Sequence, residues 1–424
     1  MKQIIFTISL LTIAIVVGAQ ETERIDTTDT RSLLKRLELL ENKISAQESK
    51  DELERLLMDA DNLSARQPTE EADLSKKFYS GIRQQQGLNP NISVLGDFFG
   101  SFSSADNRLI NEPTDYSHGS NGFYMRSLEL SMVAALDPYA RGKAFLDISD
   151  EGISIEEAYM EIINLPLNMS VKAGVFFPEY GLLNRHHTHA LPQFDRPHVA
   201  VNYFDLDGFN GIGTALNFML PGLLFADASS LDLTVININD NKSFASNTSF
   251  NVAFVGHFKN YYDLSEASYF EYTISTVSGK NDLTSSKSHI GNIGLHYRWS
   301  PPSLAKYKSF DWKTEFYYGH NETPFGIVRS KGFYSSVHRK LDTRFWVGGR
   351  IGYSEMPYDN DQHEWDYTAN IDFWQSEFVF YRIQYQYNSR DISYLPGYVG
   401  NFPSAHTILL QFSWAMGPHK HDAY

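Results

Sequence analysis

The sequence predicts an all-β membrane protein, a 16-stranded antiparallel transmembrane β-barrel preceded by a short N-terminal helix. Three observations carry this expectation. From Asn91 onward apolar and polar residues alternate with a period of two. Tight turns and long polar loops connect these segments. After residue 19 no run approaches the roughly eighteen apolar residues of a spanning helix, so any crossing is made by strands.

Composition narrows the classes further. The chain has no cysteine, which excludes disulfides, thiolate metal sites, a cysteine nucleophile and a lipidated N-terminal cysteine. With 36 Lys and Arg against 51 Asp and Glu, the net charge of -15 argues against nucleic acid as a partner. Aromatic residues make up 14% of the chain, a load that suits strands bounded by aromatic belts.

In chain order, residues 1–19 have a lysine at position 2, an apolar stretch from Ile4 and small residues at Gly18 and Ala19. This is the pattern of a secretory signal peptide cleaved after Ala19. Residues 20–66 are expected to form a periplasmic helical stalk. Leu33, Leu37, Leu40 and Ile44 mark a coiled-coil seam, and the phase breaks at Gln47 and Asp51 before Leu53. Two heptads are too few for an isolated coil, so the helix either associates with copies of itself under a larger body or packs singly as an amphipathic helix. Residues 67–88 read as a polar linker.

The barrel is expected over 89–416, with strands beginning near 91, 122, 139, 153, 167, 212, 230, 248, 266, 288, 309, 331, 343, 365, 376 and 405. Leu128, Leu130, Met132, Ala134 and Leu136 define one apolar face, as do Val171, Ala173 and Val175, and Phe345, Val347, Ile351 and Tyr353. Tight turns are expected at 136–138, 165–168, 220–222, 340–342 and 374–376. Long loops are expected at 105–121, 179–211, 277–287, 319–330, 354–364 and 389–404. An even strand number puts both termini on one side, the periplasm. The last strand places Ile408, Leu410, Phe412 and Trp414 on one face and leaves a tail, 417–424, containing His419 and His421. A soluble propeller or sandwich would show a repeat or loops of equal length at both ends, and neither is present.

If the apolar face meets lipid, the other face lines a pore. Expected lining residues are Glu129, Arg141, Lys143, Lys172, Arg344, Arg350 and Arg382, with Asp147, His296, Arg298, Lys313, Glu315, Asp372 and Gln384 on the same face. This set leans basic and favours anions unless opposite charges pair across strands. The segment 179–211 occupies the third long loop. It is expected to narrow the barrel with Arg185, His186, His187, His189, Asp195, Arg196 and His198, or else to pack on the wall with Asp195 and Arg196 paired to each other. His187 and His189 share one face of an extended segment and form a candidate metal pair, a weak signal without a carboxylate at a defined distance. Glu157 and Glu161 share a strand face and read as lining. No catalytic motif or cofactor fingerprint occurs, so neither an enzyme nor a bound cofactor is expected.

The segments Asn89-Pro90-Asn91-Ile92-Ser93-Val94-Leu95-Gly96-Asp97-Phe98 and Leu183-Asn184-Arg185-His186-His187-Thr188-His189-Ala190-Leu191-Pro192 resemble a family of bacterial outer-membrane barrels. Some of its members carry the label zinc-regulated outer-membrane receptor. The plan of helix plus sixteen strands is also similar to phosphate-selective porins. That resemblance implies homotrimers, a coiled-coil stalk, a lipid environment and passive diffusion of small hydrophilic solutes or anions. The sequence departs from it in lacking a dense ladder of inward Arg and Lys. A receptor reading implies a plug domain, for which residues 20–88 are too few and too helical. The expected function is a porin. The alternative is a non-conducting barrel that serves as receptor or anchor for a metal ion or partner protein.

Overall fold

A computed structural model describes residues 90–105, 121–149, 152–238, 242–244, 252–281, 286–393 and 402–417. The chain divides into two units, Met1–Gly81 and Ile82–Tyr424, and every described residue belongs to the second. The expected signal peptide, stalk, linker and His419/His421 tail lie outside the described residues.

The period-two pattern is realised as sixteen strands: β1 (Asn91–Ser103), β2 (Gly122–Asp137), β3 (Ala140–Ser149), β4 (Gly152–Leu165), β5 (Met169–Phe176), β6 (Gly211–Leu220), β7 (Ala228–Ile238), β8 (Ala253–Ser265), β9 (Ser268–Lys280), β10 (Lys287–Trp299), β11 (Ser309–Thr323), β12 (Gly326–Lys340), β13 (Phe345–Met356), β14 (Asp359–Ser376), β15 (Val379–Asp391) and β16 (Ala405–Met416). Each pairs antiparallel with its sequence neighbours, and β1 closes the barrel on β16 from Val94 opposite Met416 to Ser103 opposite Thr407. Closure leaves no edge strand.

The pleat sorts the side chains. Ile212, Leu233, Phe254, Ile274, Ile293, Ile371, Ile383 and Ile408 point outward and are exposed. Their neighbours Asp232, Thr273, Asn292, Asp372, Arg382 and Gln384 point inward and are buried. Outward rings form two girdles. Near one rim Phe345, Phe373, Tyr381, Phe412 and Phe98 touch in succession across five strands, β13 to β1. Toward the other rim Phe333, Trp365, Tyr367, Tyr387 and His406 form a second chain of ring contacts.

Two expected loops are strand instead. At 319–330, β11 and β12 pair up to Thr323 opposite Gly326, and at 354–364, β13 and β14 pair up to Met356 opposite Asp359. These hairpins extend past the apolar girdles, where polar residues such as His320, Glu322 and Arg329, or Asp361 and His363, take outward positions and blur the alternation that marks a strand.

Two β-bulges matter for the interior. On β4 the pairing with β3 shifts between Phe145 and Leu146, so that Glu156 is an extra residue between Ile155 and Glu157. Ile153 and Ile155 point outward before it, and Met160 points outward after it. A bulge lets two consecutive residues face the same side, and here Glu156 and Glu157 both reach inward. On β2 the pairing with β1 skips Arg126, which brings that guanidinium inward beside Asp97.

Candidate functional site: a loop folded into the barrel

The connection between β5 and β6, residues 177–210, lies inside the barrel. Its neck is closed by Asn184, whose amide donates to Pro178 O (2.9 Å) and Phe209 O (3.0 Å) and whose oxygen accepts the Phe209 N–H (2.9 Å). Arg196 donates to Leu183 O and His186 O, holding the two limbs together. The loop buries its own apolar cluster of Tyr180, Leu182, Leu183, Leu191, Val199, Tyr203, Phe204 and Phe209 against Ile236, Val255, Val277 and Ile290 of the wall. A single turn of helix, His198–Tyr203, carries part of that cluster.

Polar side chains of the wall then hold the loop backbone. Glu315 on β11, fully buried, accepts from Leu182 N–H (3.0 Å), Asn292 (2.7 Å), Tyr317 (3.0 Å) and Tyr334 (2.7 Å). Gly181 beside it has φ +59°, and a Cβ there would stand 2.1 Å from Glu315 Oε2, so only glycine fits. Gln384 accepts from Phe194 N–H (2.8 Å), while Arg382 donates to Leu191 O (3.2 Å). Arg126 donates to Phe194 O and stacks its guanidinium 4.2 Å from the Phe194 ring.

The charged residues of the loop are mostly spent on these contacts. Asp195 pairs with Arg350 on β13 (3.0 Å) and accepts from Gln384 and Gln386 of β15, in place of the internal Asp195–Arg196 pair of the alternative reading. His198 bridges Asp195 (3.4 Å) and Glu364 (3.2 Å). Burial drives the His198 imidazole toward the neutral form, but Glu364 and Asp195 outweigh it and raise it to about 10. Burial pushes the Asp195 carboxyl up, and Arg350 with His198 overrides it, holding it well below the usual carboxylate range. Among the described residues, His186 has no such acid partners. Burial, then the charges of Arg185, Lys313 and Arg196, lower it to about 3.

His187 sits in an acidic nest. Its Nδ1 lies 2.8 Å from Glu129 Oε2 and 3.1 Å from Glu156 Oε2, and its Nε2 lies 3.2 Å from Glu157 Oε2. Burial lowers this imidazole, but Glu156, Glu129 and Glu157 together hold it well above its ordinary value. His189 Nδ1 is 3.6 Å from the same Glu129 oxygen.

Of the residues expected at a constriction, Arg185 is the most open. Its side chain is 52% exposed and faces Glu179 at 3.8 Å. Arg196, His187, His189, Asp195 and His198 are buried, and His186 is partly so. Among expected lining residues, Arg141, Lys143 and Lys172 border open space, whereas Glu129, Arg350 and Arg382 are covered by the loop. Arg344 lies before β13 in an exposed turn, with its N–H on Asp342 (2.7 Å). Alternation assigned the inward face, but it carries no information about what fills the lumen.

Among the described residues, open space lies along the β2–β9 side. One cavity of about 700 Å³ is bordered by Arg141, Lys143, Tyr159 and His186. A second of about 410 Å³ is bordered by Asn217, Asp232, Lys259 and Glu271. Glu161, Lys172, Glu179 and Arg185 border both. The sequence reading missed Arg126, Glu156, Glu179 and Glu364. For the first two a signal existed, since the outward apolar set changes parity at each bulge.

The comparisons bear on the fold. No protein-family model matches the chain. A protein of Aquifex aeolicus (strain VF5) described only as uncharacterized is 31% identical over 150 residues, a stretch covering 32% of this chain and 32% of that relative's length. Among solved structures, OprB of Pseudomonas putida superposes with a TM-score of 0.54 at 9% identity, over 80% of this chain and 97% of OprB. An anion-selective porin from Comamonas acidovorans gives 0.52 at 10% identity, over 77% of this chain and 99% of the porin. At such identities the likeness establishes a shared barrel architecture.

Proposed function

We propose that this chain is a bacterial outer-membrane channel that passes small hydrophilic solutes or ions by diffusion, with the 177–210 loop as its constriction. The observation that carries this is the combination of an outward apolar face between two aromatic girdles, a polar inner wall, and a loop that packs into the barrel while leaving open space along β2–β9. An apolar band flanked by aromatic girdles suits a bilayer. The porin architectures that the fold matches support the same reading. In this reading residues 1–19 direct export, both termini face the periplasm, and the 20–66 stalk assists assembly of a homotrimer.

The passage has mixed charge. Lys172 and Arg185 stand beside Glu161 and Glu179, so any anion preference is mild and set by a few side chains. A second reading, a closed barrel serving as receptor or anchor, is favoured by the number of strands the loop touches, from Arg126 on β2 to Gln386 on β15.

Planar-bilayer recording of the purified protein separates them. Stable single-channel steps of small amplitude support the channel. An inserted, folded protein that stays silent supports the closed barrel and rejects the channel.

A further inference from the structure

The His187 nest holds more buried acid than its neighbours satisfy. Glu129, on β2, is 1% exposed, and its Oε1 has no hydrogen-bond partner among the described residues. Asp147 stands opposite it on β3, with its Oδ1 buried and likewise without a hydrogen-bond partner among the described residues. Glu156 and Glu157 are turned in by the β4 bulge. An unpaired buried carboxylate oxygen is costly unless a cation or donor reaches it.

We propose that Glu129, His187 and His189 bind one divalent cation of the zinc class, which ties the lumenal loop to the barrel wall. One donor atom from each residue lies within 4.8 Å of the others. A tetrahedral zinc site with bonds of about 2.0–2.1 Å sets donors about 3.4 Å apart. His189 Nδ1 and Glu129 Oε2 are already at 3.6 Å, and His187 Nδ1 is 2.8 Å from that oxygen, a hydrogen bond whose proton the metal displaces. Glu156 Oε2, 3.1 Å from the same nitrogen, is the adjacent fourth donor.

The surroundings fit a metal site as well. With Nδ1 on the metal, His187 Nε2–H donates to Glu157 at 3.2 Å, the carboxylate support usual behind a ligating imidazole. The Phe145 and Phe177 rings pack on His187, with centroids at 4.7 and 5.8 Å. The cavity of about 700 Å³, which borders both His187 and His189, supplies an entry path. Two imidazoles and a carboxylate suit zinc and its transition-metal neighbours, whereas calcium and magnesium take oxygen shells.

The experiment uses the full chain in detergent with zinc chloride as probe, in a His419→Ala/His421→Ala background that removes the tail imidazoles. Equilibrium dialysis is expected to give one zinc per chain, with affinity about tenfold or more weaker in His189→Gln and in Glu157→Gln. Zinc-edge X-ray absorption of the background protein should show two imidazoles, a readout that stands even where a ligand variant fails to fold. Absence of stoichiometric zinc, unchanged affinity in folded His189→Gln, or an all-oxygen shell overturns the proposal. Because binding is read in solution, a barrel that never conducts leaves this result interpretable.

Discussion

Asp195, at the tip of the lumenal loop, meets Arg350 twice: Arg350 Nη1 donates to the Asp195 carbonyl oxygen at 2.8 Å and Nη2 to its carboxylate at 3.0 Å. Arg350 also holds Asp366 at 2.8 Å, and its side chain is fully buried. The two residues are 155 positions apart, so the pair is a long-range tie between the loop and the β13 wall.

Asp195→Ala is therefore expected to undock the loop. Breaking one partner out of a buried ion pair costs about 3–5 kcal/mol. The low end applies here, because Asp366 still neutralises Arg350. The variant should be cut within 177–210 by a protease that spares the parent, and its channel should carry more current. Parent-like resistance to cleavage would show that Asp195 does not secure the loop.

Gly181→Ala tests the other anchor. Its φ of +59° strains any L side chain, and the new Cβ would force the Glu315 carboxylate away from Leu182 N–H. The left-handed conformation alone costs roughly 1–3 kcal/mol. Thermal unfolding should show a lowered midpoint and proteolysis a looser loop, with the barrel's far-UV spectrum retained. An unchanged midpoint would count against the tight Gly181–Glu315 approach.

These anchors also show how far the sequence could be read. The sixteen strands were legible because Leu128, Leu130 and Met132, or Ile371 and Phe373, repeat every second residue on a face that meets no polar neighbour. The hairpin ends at 319–330 and 354–364 were not, since polar residues such as His320, Arg329 and His363 at outward positions break the period. The loop was legible as a long third connection, rich in His and Arg and expected to narrow the barrel, but its buried apolar cluster and its partners on the wall were not. Its partners Arg350, Glu315 and Glu364 lie more than a hundred residues away and look in sequence like any other inward charge. The candidate cation site was visible as His187 and His189 alone. Glu129 and the β4 bulge become its neighbours only in three dimensions.

His198 predicts how the docking responds to alkali. Its folded value of about 10 lies above the ordinary 6.5, so the stabilisation is fully present below pH 6.5 and is lost as pH rises toward 10. Loop protection against proteolysis should therefore fall progressively from neutral pH to pH 10. His198→Gln keeps the size and hydrogen-bonding capacity without the charge, so it should be looser at neutral pH and show a flatter slope. A parent and variant with parallel pH profiles would remove His198 from this role.

Selectivity is expected to follow the residues that border open space and not the whole inward set. Arg185 and Lys172 line both cavities, facing Glu179 and Glu161, while Arg344 lies in an exposed turn outside the strands. A unit charge about 4 Å from a passing ion in water is worth about 1 kcal/mol, roughly fivefold in a permeability ratio. Arg185→Glu changes the local charge by two units, so its reversal potential in a salt gradient should move toward cations by at least that factor. Glu179→Gln should move it toward anions, and Arg344→Glu should leave it in place. If Arg344→Glu shifts selectivity as strongly as Arg185→Glu, the ions are responding to the mouth of the barrel, and the passage beside Lys172 is not the step that discriminates.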